Sequence, residues 1–368
     1  MIRNNDKKLA MIAMSGGVDS SVCALLVKNL GYECVGATMK LFDNEDIGEC
    51  SEKACCSLKD SADAARVAHG LGMNHYVWDF TEDFRRDVIE TFASSYEQGI
   101  TPNPCIDCNR YLKYQRFYER SRQMDFDYIA TGHYARIEFD ETYGRYVLKK
   151  AVDDTKDQSY VLYMIGQEQL AHTLFPLGDL TKVQAREIAN AHNFVNANKH
   201  ESQDICFVPD GDYATFIKQY RGHDYAPGNF VNENGKILGK HKGIIHYTIG
   251  QRKGLGIAFG EPTYVKSIDQ ESNTIVLSKD KAVYTDSLVI GNLSINIPEL
   301  LDSDDLTVKI RYSHGGAHAK VTRLESDGRL ADARLHVQFD EPQRAITRGQ
   351  SAVIYHGDMV VGGGIIIG

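Results

Sequence analysis

The chain has 368 residues, a formal net charge of -9 and 42% hydrophobic residues. This length predicts two or three globular domains, and the acidic balance argues against a protein that coats nucleic acid by bulk electrostatics, so an RNA partner requires a local basic patch. No apolar stretch suits a signal-peptide core or a bilayer span. We therefore expect a cytoplasmic protein without membrane contact, whose eight cysteines serve as thiols rather than permanent disulfides.

The first two hundred residues alternate strand-like and helix-like segments. Strands are predicted at 9–14, 33–41, 75–78 and 128–131, and helices at 20–30, 57–71, 81–96 and 109–124. Such alternation is typical of βαβ units and predicts an α/β domain over residues 1–210, with a Rossmann-like parallel sheet covered by helices on both faces.

The pattern changes after Gly211. Short segments with glycine-rich turns predict a small mixed domain over residues 211–285. Period-2 strands then predict an antiparallel β-barrel over residues 286–368.

A glycine-serine turn, "AMSGGVDSSV", follows the first strand. Gly16 and Gly17 allow a phosphate to approach the backbone, and the helix that follows contributes N-H groups and roughly half a positive charge. Asp19 suits a Mg²⁺ anchor, since a carboxylate repels phosphate. The alternative is a plain helix N-cap. The stretch lacks the Lys-Ser/Thr pair of a Walker A loop.

The spacing S-G-G-x-D-S resembles the pyrophosphate loop (PP-loop) of the N-type ATP pyrophosphatases, which cleave ATP between the α and β phosphates. This resemblance implies that Met39 packs near adenine and that Gly132 lies against the nucleotide. The implied ATP-binding residues are Ala13, Met14, Ser15, Gly16, Gly17, Val18, Asp19, Ser20, Met39 and Gly132.

Three cysteines lie in segments that are predicted to be loops. Cys105 and Cys108 belong to "TPNPCIDCNR", where Pro102 and Pro104 predict an extended segment, and Cys206 belongs to "SQDICFVPDGDY". A working thiol needs a nearby positive charge or a helix N-terminus, because its ordinary pKa leaves it mostly protonated. For Cys108 we expect both, from Arg110 and from a helix that begins after it.

The predicted helix at 109–124 is rich in basic and aromatic side chains. An α-helical repeat places residues 110, 113, 116 or 117, and 120 on one side, which predicts either a solvated amphipathic helix or a basic stripe that contacts RNA phosphates. Its position next to Cys108 favours the phosphate contacts.

Several motifs in order resemble the tRNA-specific 2-thiouridylases of the PP-loop class, which have a HUP-type ATP-binding domain. They are "NPCIDCN", "ATGHYAR", "KDQSYVLY", "ESQDICFVP", "HYTIGQRKGLGI" and "VQFDEPQRAITRGQSAVIY". The resemblance implies that ATP adenylates O2 of the wobble uridine. It also implies that Cys206 carries a persulfide from a sulfur-relay protein or cysteine desulfurase, and that Cys108 forms a transient disulfide with Cys206.

The same resemblance implies contacts with the anticodon loop of tRNA, with the terminal barrel holding the tRNA. The implied tRNA-binding residues are Asn103, Pro104, Cys105, His133, Lys156, Asp157, Gln158, Arg311, Tyr312 and Gln350. Arg and Tyr side chains suit the phosphates and splayed bases of such a loop.

Position 105 departs from one common form of the family. Many relatives have Asp there, a proposed acid-base group, and whether Asp107 takes over that role stays open. Cys105, Cys108 and Cys206 also match a three-thiolate site for an iron-sulfur cluster, an alternative sulfur source. Two rival functions are an amidotransferase-type ATP pyrophosphatase acting on a small carboxylate and a non-enzymatic RNA- or metal-binding module.

Overall fold

The computed structural model describes residues 7–43, 58–199, 205–208, 210–257, 260–279, 283–324 and 333–368. The chain forms two compact units. The first comprises Met1–Val88, Cys105–Gly211 and Asp358–Val360, and the second comprises Ile89–Pro104, Asp212–Gly357 and Val361–Gly368. Among the described residues, none of the helices has the length and apolar character needed to cross a membrane.

Helices concentrate in the first half of the chain. The α-helices are α1 (Val18–Asn29), α2 (Leu58–Gly70), α3 (Thr81–Phe84), α4 (Glu90–Glu97), α5 (Pro104–Asp107), α6 (Tyr118–Gln123), α7 (Gln167–Ala171), α8 (Lys182–Ala191) and α9 (Tyr213–Arg221). Two π-helical segments, π1 (Arg85–Ile89) and π2 (Cys108–Phe117), continue α3 and α5, and short 3-10 turns cover Ser159–Leu162, Ile244–His246 and Pro298–Leu300.

The first unit contains the predicted parallel sheet. Its strands are β1 (Leu9–Ala13), β2 (Glu33–Lys40), β3 (Asn74–Asp79), β4 (Tyr128–Ala130) and β7 (Thr173–Leu174), in the order β3-β2-β1-β4-β7 and all parallel. The order reverses between β1 and β4, so the loops after these two strands border the crevice in which open α/β sheets bind ligands. The Rossmann-like prediction is confirmed.

Small side chains bring α1 and α2 close to this sheet. The core contains Val22, Ala24, Ala64 and Ala68, all at most 4% exposed. A hairpin of β5 (Arg136–Asp140) and β6 (Arg145–Lys149) follows β4, and Met359 pairs with Lys149 at its edge.

The second unit contains two β structures. A four-stranded sheet has the order β10-β11-β8-β9, formed by β8 (Gly228–Val231), β9 (Ile237–His241), β10 (Thr263–Asp269) and β11 (Thr274–Lys279). A closed barrel is formed by β12 (Tyr284–Ile295), β13 (Thr307–Lys309), β14 (Ala317–Leu324), β15 (Arg334–Arg344), β16 (Ser351–His356) and β17 (Met359–Ile366). Antiparallel pairing of β12 with both β15 and β17 closes the ring, which confirms the predicted barrel.

One local prediction is wrong. The segment around Cys105 is helical from Pro104 onward rather than extended. Proline is compatible with the first turn of a helix, because the N-H that it lacks has no intrahelical partner there. Cys105 therefore lies in α5, and Cys108 begins π2 instead of preceding a helix.

Candidate functional site

The glycine-serine turn forms a tight connection from β1 to α1. Gly16 has a φ of +75°, and a Cβ there would lie 2.2 Å from the backbone oxygen of Asp60. Gly17 is the N-cap of α1, with no side-chain cap. The first N-H groups of a twelve-residue helix therefore face the end of the sheet, where an anion can accept their hydrogen bonds.

Side chains hold this loop from within. The Ser15 N-H donates to Ser20 Oγ over 3.2 Å, and the hydroxyls of Ser20 and Ser21 donate to the Gly17 carbonyl at 3.1 and 3.0 Å. Asn196, which is 2% exposed, donates to the Gly16 carbonyl over 2.9 Å. The loop therefore has a fixed shape set by its own residues and by one distant amide.

Two lysines that the sequence analysis missed contact the loop. Lys182 Nζ donates to both carboxylate oxygens of Asp19, at 2.8 and 2.7 Å, and Tyr134 Oη donates to Asp19 Oδ1 over 2.8 Å. Lys199 lies behind the loop, where its Nζ donates to the Gly16 carbonyl over 3.1 Å and pairs with Asp60 and Asp63. The only local signal for Lys182 was the Thr181–Gln184 capping box, which indicates a helix start.

The other predicted nucleotide residues surround the same strand ends. A Cβ on Gly132 would lie 2.7 Å from the carbonyl carbon of Asp19, so the loop after β4 packs directly on α1. Met14 is buried, and its carbonyl accepts a hydrogen bond from Thr38 Oγ1 over 2.7 Å. Met39 is half-buried near the end of β2, and Ala13 ends β1. Their contacts with a nucleotide stay predictions.

The thiols of Cys105 and Cys108 share one positively charged neighbour. Cys105 is exposed and Cys108 half-buried, and both are free. Burial raises the pKa of the Cys108 thiol to about 11, while the charge of Lys113 lowers it. The predicted activation by Arg110 is wrong, since the Arg110 charge acts on Asp107, and so is the helix start, because the helix begins one turn earlier.

The π-helical geometry explains why Lys113 lies beside Cys108. In an α-helix, residues five apart point about 140° away from each other. In a π-helix the hydrogen bonds run from residue i to i+5, so such residues lie on neighbouring turns of the same side. Residues 108 and 113 both belong to π2. The predicted α-helical stripe over 110, 113, 116 or 117, and 120 is wrong for the same reason.

A hydrogen-bond network fixes Lys113. Its Nζ lies 3.3 Å from His133 Nε2, and His133 Nδ1 lies 2.7 Å from Thr131 Oγ1 and 2.9 Å from Tyr114 Oη. Burial and the charge of Lys113 keep the pKa of His133 well below its usual range, so the ring is neutral. Because an ammonium only donates, Nε2 accepts from Lys113 and Nδ1 carries the proton.

Asp107 is a half-buried carboxyl at the end of α5. Its pKa is raised from 3.8 to about 7, mainly by burial; the Arg110 charge opposes this shift and the Asp87 charge adds to it. A group that titrates near neutral pH can both donate and accept a proton. This property suits the acid-base role that Cys105 cannot fill.

Cys206 lies on a turn in the first unit and is half-buried. The next residue, Phe207, is 1% exposed and packs on Phe84 of α3 with ring centroids 5.6 Å apart. The helix that contains α3 continues into π1, whose Asp87 interacts with Asp107. One helical segment thus contacts both thiol-bearing segments.

The described residues contain no group of three or more His, Cys, Asp or Glu side chains that could hold a metal ion.

The predicted tRNA-binding residues of the first unit are held by structural contacts. His133 is 8% exposed, and the Asp157 carboxylate accepts hydrogen bonds from Ala151 and Ser159. Gln158 Oε1 accepts from the Tyr134 N-H over 2.9 Å, and Lys156 is half-buried on the adjoining turn. None of these contacts tests RNA binding, which stays a prediction.

In the second unit, Gln350 forms hydrogen bonds with the two residues that precede Asn103 and Pro104. Its Nε2 donates to the carbonyls of Thr101 and Pro102 at 3.0 and 3.1 Å. Arg311 donates to the Arg344 carbonyl over 3.2 Å, and the Tyr312 ring is 45% exposed. An exposed ring suits base stacking.

The basic side chains after Cys108 mostly have protein partners. Arg116 pairs with Asp83 and Glu119, Arg122 donates to the Phe126 carbonyl, and Arg120 lies 4.7 Å from the Trp78 ring centroid. The ion pairs of Arg116 offset its charge, and the other two contacts hold Arg120 and Arg122 against the protein.

Three family models match successive parts of the chain. They are described as a tRNA methyl transferase HUP domain for residues 8–210, a tRNA methyl transferase PRC-barrel domain for 214–279 and an aminomethyltransferase beta-barrel domain for 285–366. The parallel sheet with its glycine loop is thus a HUP-type domain, followed by two β domains.

Relatives that match nearly the whole chain identify the family within this class of HUP-domain proteins. The chain is 50% identical over 360 residues to the tRNA-specific 2-thiouridylase MnmA of Clostridioides difficile strain 630, covering 98% of each chain. It is 46% identical to that of Lachnoclostridium phytofermentans and 49% identical to that of Acetivibrio thermocellus, with 98% of this chain and 99% of each relative covered. The chain belongs to the tRNA-specific 2-thiouridylase family.

Proposed function

We propose that this chain transfers sulfur to C2 of the wobble uridine of tRNA while ATP is cleaved to AMP and pyrophosphate. One observation carries the proposal. The same compact unit contains the glycine-serine loop at the switch point of a parallel sheet and the thiols of Cys108 and Cys206 on segments that contact one helix. A thiolation that begins with adenylation needs a site for ATP and a thiol that carries the sulfur.

The glycine-serine loop is the proposed site of the ATP phosphates. N-H groups at the start of α1 supply the donors, and the ATP-binding residues named from the sequence are proposed to complete the site. A magnesium ion would be held by Asp19 together with phosphate oxygens, since Mg²⁺ usually takes only one or two protein carboxylates. When bound, it neutralises phosphate charge.

Sulfur transfer assigns separate roles to the cysteines. Adenylation of O2 releases pyrophosphate and turns that oxygen into a leaving group. The outer sulfur of a Cys206 persulfide attacks C2, and AMP departs. The Cys108 thiolate then attacks the inner sulfur of Cys206, which forms a Cys108–Cys206 disulfide and releases 2-thiouridine. A dithiol reductant supplies the two electrons that restore both thiols, and a sulfur-relay protein or cysteine desulfurase reloads Cys206.

Asp107 is the proposed acid-base group near the target base. Its carboxyl lies between Cys105 and Cys108 in the chain, and its pKa of about 7 allows proton transfer at neutral pH. The tRNA contacts are proposed for Asn103, Pro104, Cys105 and the further residues named above. We place the reaction in the cytoplasm, where thiols stay reduced.

The iron-sulfur alternative lacks structural support among the described residues. Cys105, Cys108 and Cys206 are described, but no three metal-binding side chains there form a group that could hold a metal ion. The proposed sulfur transfer therefore uses the Cys206 persulfide. Iron analysis after anaerobic purification, with activity assays of apo and reconstituted protein, distinguishes the two sulfur sources. Full activity without iron supports the persulfide.

The decisive test combines purified protein with ATP, Mg²⁺, a persulfide donor and transcript tRNA, and measures 2-thiouridine by mass spectrometry. We expect thiolation together with AMP and pyrophosphate. Cys206→Ser should abolish thiolation while ATP binding persists, whereas Cys34→Ser, a buried thiol in β2, serves as the control for cysteine replacement. Asp19→Ala should lose thiolation as well. AMP release stimulated by small acids and not by tRNA would contradict the proposal.

A further inference from the structure

A turn of the barrel, residues 348–350, binds the backbone of the segment that leads to the thiols. The Thr101 N-H donates to the Arg348 carbonyl over 3.0 Å. Gln350 Nε2 donates to the carbonyls of Thr101 and Pro102. The segment around these residues is neither helix nor strand, so its backbone groups need partners from elsewhere in the fold. This barrel turn supplies them within the second unit.

Gly349 lets the two backbones approach closely. Its φ is +91°, and a Cβ there would lie 2.9 Å from the Thr101 carbonyl oxygen and nearer still to Ile100 Cγ2. The Gly349 N-H donates to the Ile366 carbonyl over 3.0 Å, and the Ile366 N-H donates to the Gln350 carbonyl over 2.8 Å. The barrel turn is therefore held by the last residue of β17 and offers a fixed surface to the segment.

Both amide donors of Gln350 are used in this contact. A primary amide has two N-H groups, and here they face two carbonyl oxygens at 3.0 and 3.1 Å. The reversed amide would set its oxygen against those oxygens, which cannot donate. A phosphate group of RNA also only accepts, so the donors that a phosphate contact needs already have partners. Gln350 therefore holds protein backbone, whether or not it also contacts tRNA.

The residues that follow this contact are those expected to contact the anticodon loop. Asn103 and Pro104 come directly after Pro102, and Cys105 then begins the stretch of the first unit that contains Cys108. Proline fixes its own φ and restricts the residue before it to extended conformations. Two prolines within three residues therefore leave little slack between the barrel turn and Asn103.

We propose that Gln350 is a positioning residue for thiolation, which holds Asn103 and Pro104 where they meet the target uridine. The barrel, which is proposed to hold the tRNA, then also places the segment that meets its base. A displacement of about 1 Å near reacting groups can cost about 100-fold in rate. Loss of the Gln350 donors should therefore slow the chemical step more than it weakens tRNA binding. The inference rests on the proposed function.

The test separates the chemical step from tRNA binding. Protein that carries a persulfide is mixed with saturating ATP, Mg²⁺ and transcript tRNA, and the single-turnover rate of 2-thiouridine formation is measured by mass spectrometry. Fluorescence anisotropy at one fixed salt concentration gives the dissociation constant for tRNA. Gln350→Met keeps the length of the side chain without its donors. We expect it to slow thiolation about 10-fold and to change the dissociation constant less than about threefold.

A second variant displaces the same segment while Gln350 stays in place. Gly349→Ala sets a methyl group against Ile100 and should slow thiolation at least as much as Gln350→Met. Gly235→Ala is the matched control in the same unit. Its φ is also positive, at +77°, and none of the described atoms beyond its chain neighbours lies within 4 Å of a new Cβ. It introduces similar backbone strain and should leave the rate within about twofold of wild type.

The two measurements give each outcome a meaning. Unchanged single-turnover rates in Gln350→Met and Gly349→Ala would overturn the inference, even if tRNA affinity fell, because Gln350 would then act only in binding. Equal slowing by Gly235→Ala would overturn it as well, since general strain would explain the loss. Retained tRNA affinity shows that a slowed variant is folded. If wild type forms no 2-thiouridine at all, the proposed function fails instead.

Discussion

The phosphate loop and the thiol segment both lie in the first unit, yet they acquire their geometry differently. The position of the loop, Ser15–Ser20, follows from the local sequence, since a strand ends, glycines turn and a helix begins, and Asn196 then holds its shape. The thiol segment, Cys105–Phe117, depends on a π-helix and on the distant His133, which together set the position of Lys113 beside Cys108. We therefore expect the phosphate loop to be sensitive to substitution of its own glycines. The thiol segment should be sensitive to substitution of the side chains that contact Cys108.

The largest expected effect concerns the loop backbone. Gly16→Ala should lower the free energy of unfolding by about 1–3 kcal/mol, because alanine is strained at positive φ, and the clash with Asp60 should displace the loop and abolish ATP binding. Denaturant unfolding and ATP-analogue titration measure both effects. Gly17→Ala is the matched control for unfolding, since φ is -88° and the nearest atom to a new Cβ is 3.5 Å away. Equal free energies of unfolding of the two variants would contradict a loop fixed by its backbone.

The thiol segment should respond to charge at one partner. Replacing Lys113 by Met removes the cation that lowers the pKa of Cys108, so the thiolate fraction should fall. We expect iodoacetamide to alkylate Cys108 about tenfold more slowly between pH 8 and 10, which corresponds to roughly one pKa unit. Tandem mass spectrometry distinguishes Cys108 from Cys105.

Arg110→Met provides the matched control for Lys113. Arg110 is next but one to Cys108 in the chain, yet its charge acts on Asp107. Alkylation of Cys108 should therefore change little in this variant. If Arg110→Met slows alkylation as much as Lys113→Met, sequence proximity rather than π-helical geometry determines the activation.

The smallest expected effect is a pH dependence of stability at Asp107. Its pKa is raised from 3.8 to about 7, so the folded chain binds more protons than the unfolded chain between these values. The free energy of unfolding should therefore fall as pH rises from about 4 to 7. Asp107→Asn should remove of order 1 kcal/mol of that fall, measured by urea unfolding at pH 5 and pH 8. Asp154→Asn, at an exposed carboxylate, should leave the fall intact.

Local pattern predicted much of the fold. The alternation of apolar runs and helical segments predicted four of the five strands of the parallel sheet to within a few residues and missed β7, and period-2 strands predicted the closed barrel. The helix beginning at Pro104 was missed because proline disfavours helix interiors but not first turns. The π-helix was missed because its wider turn has no simple signature in the spacing of apolar residues.

The sequence by itself determined the family, the sheet and the position of the glycine-serine turn, because these depend on residue order and on hydrogen bonds between chain neighbours. Only the tertiary structure decided which lysines lie beside the glycine-serine loop and beside Cys108. Lys182 reaches Asp19 across 163 positions, and His133 reaches Lys113 across 20. Pairs so far apart in sequence meet only through packing of the sheet and its helices, and no local pattern encodes that meeting.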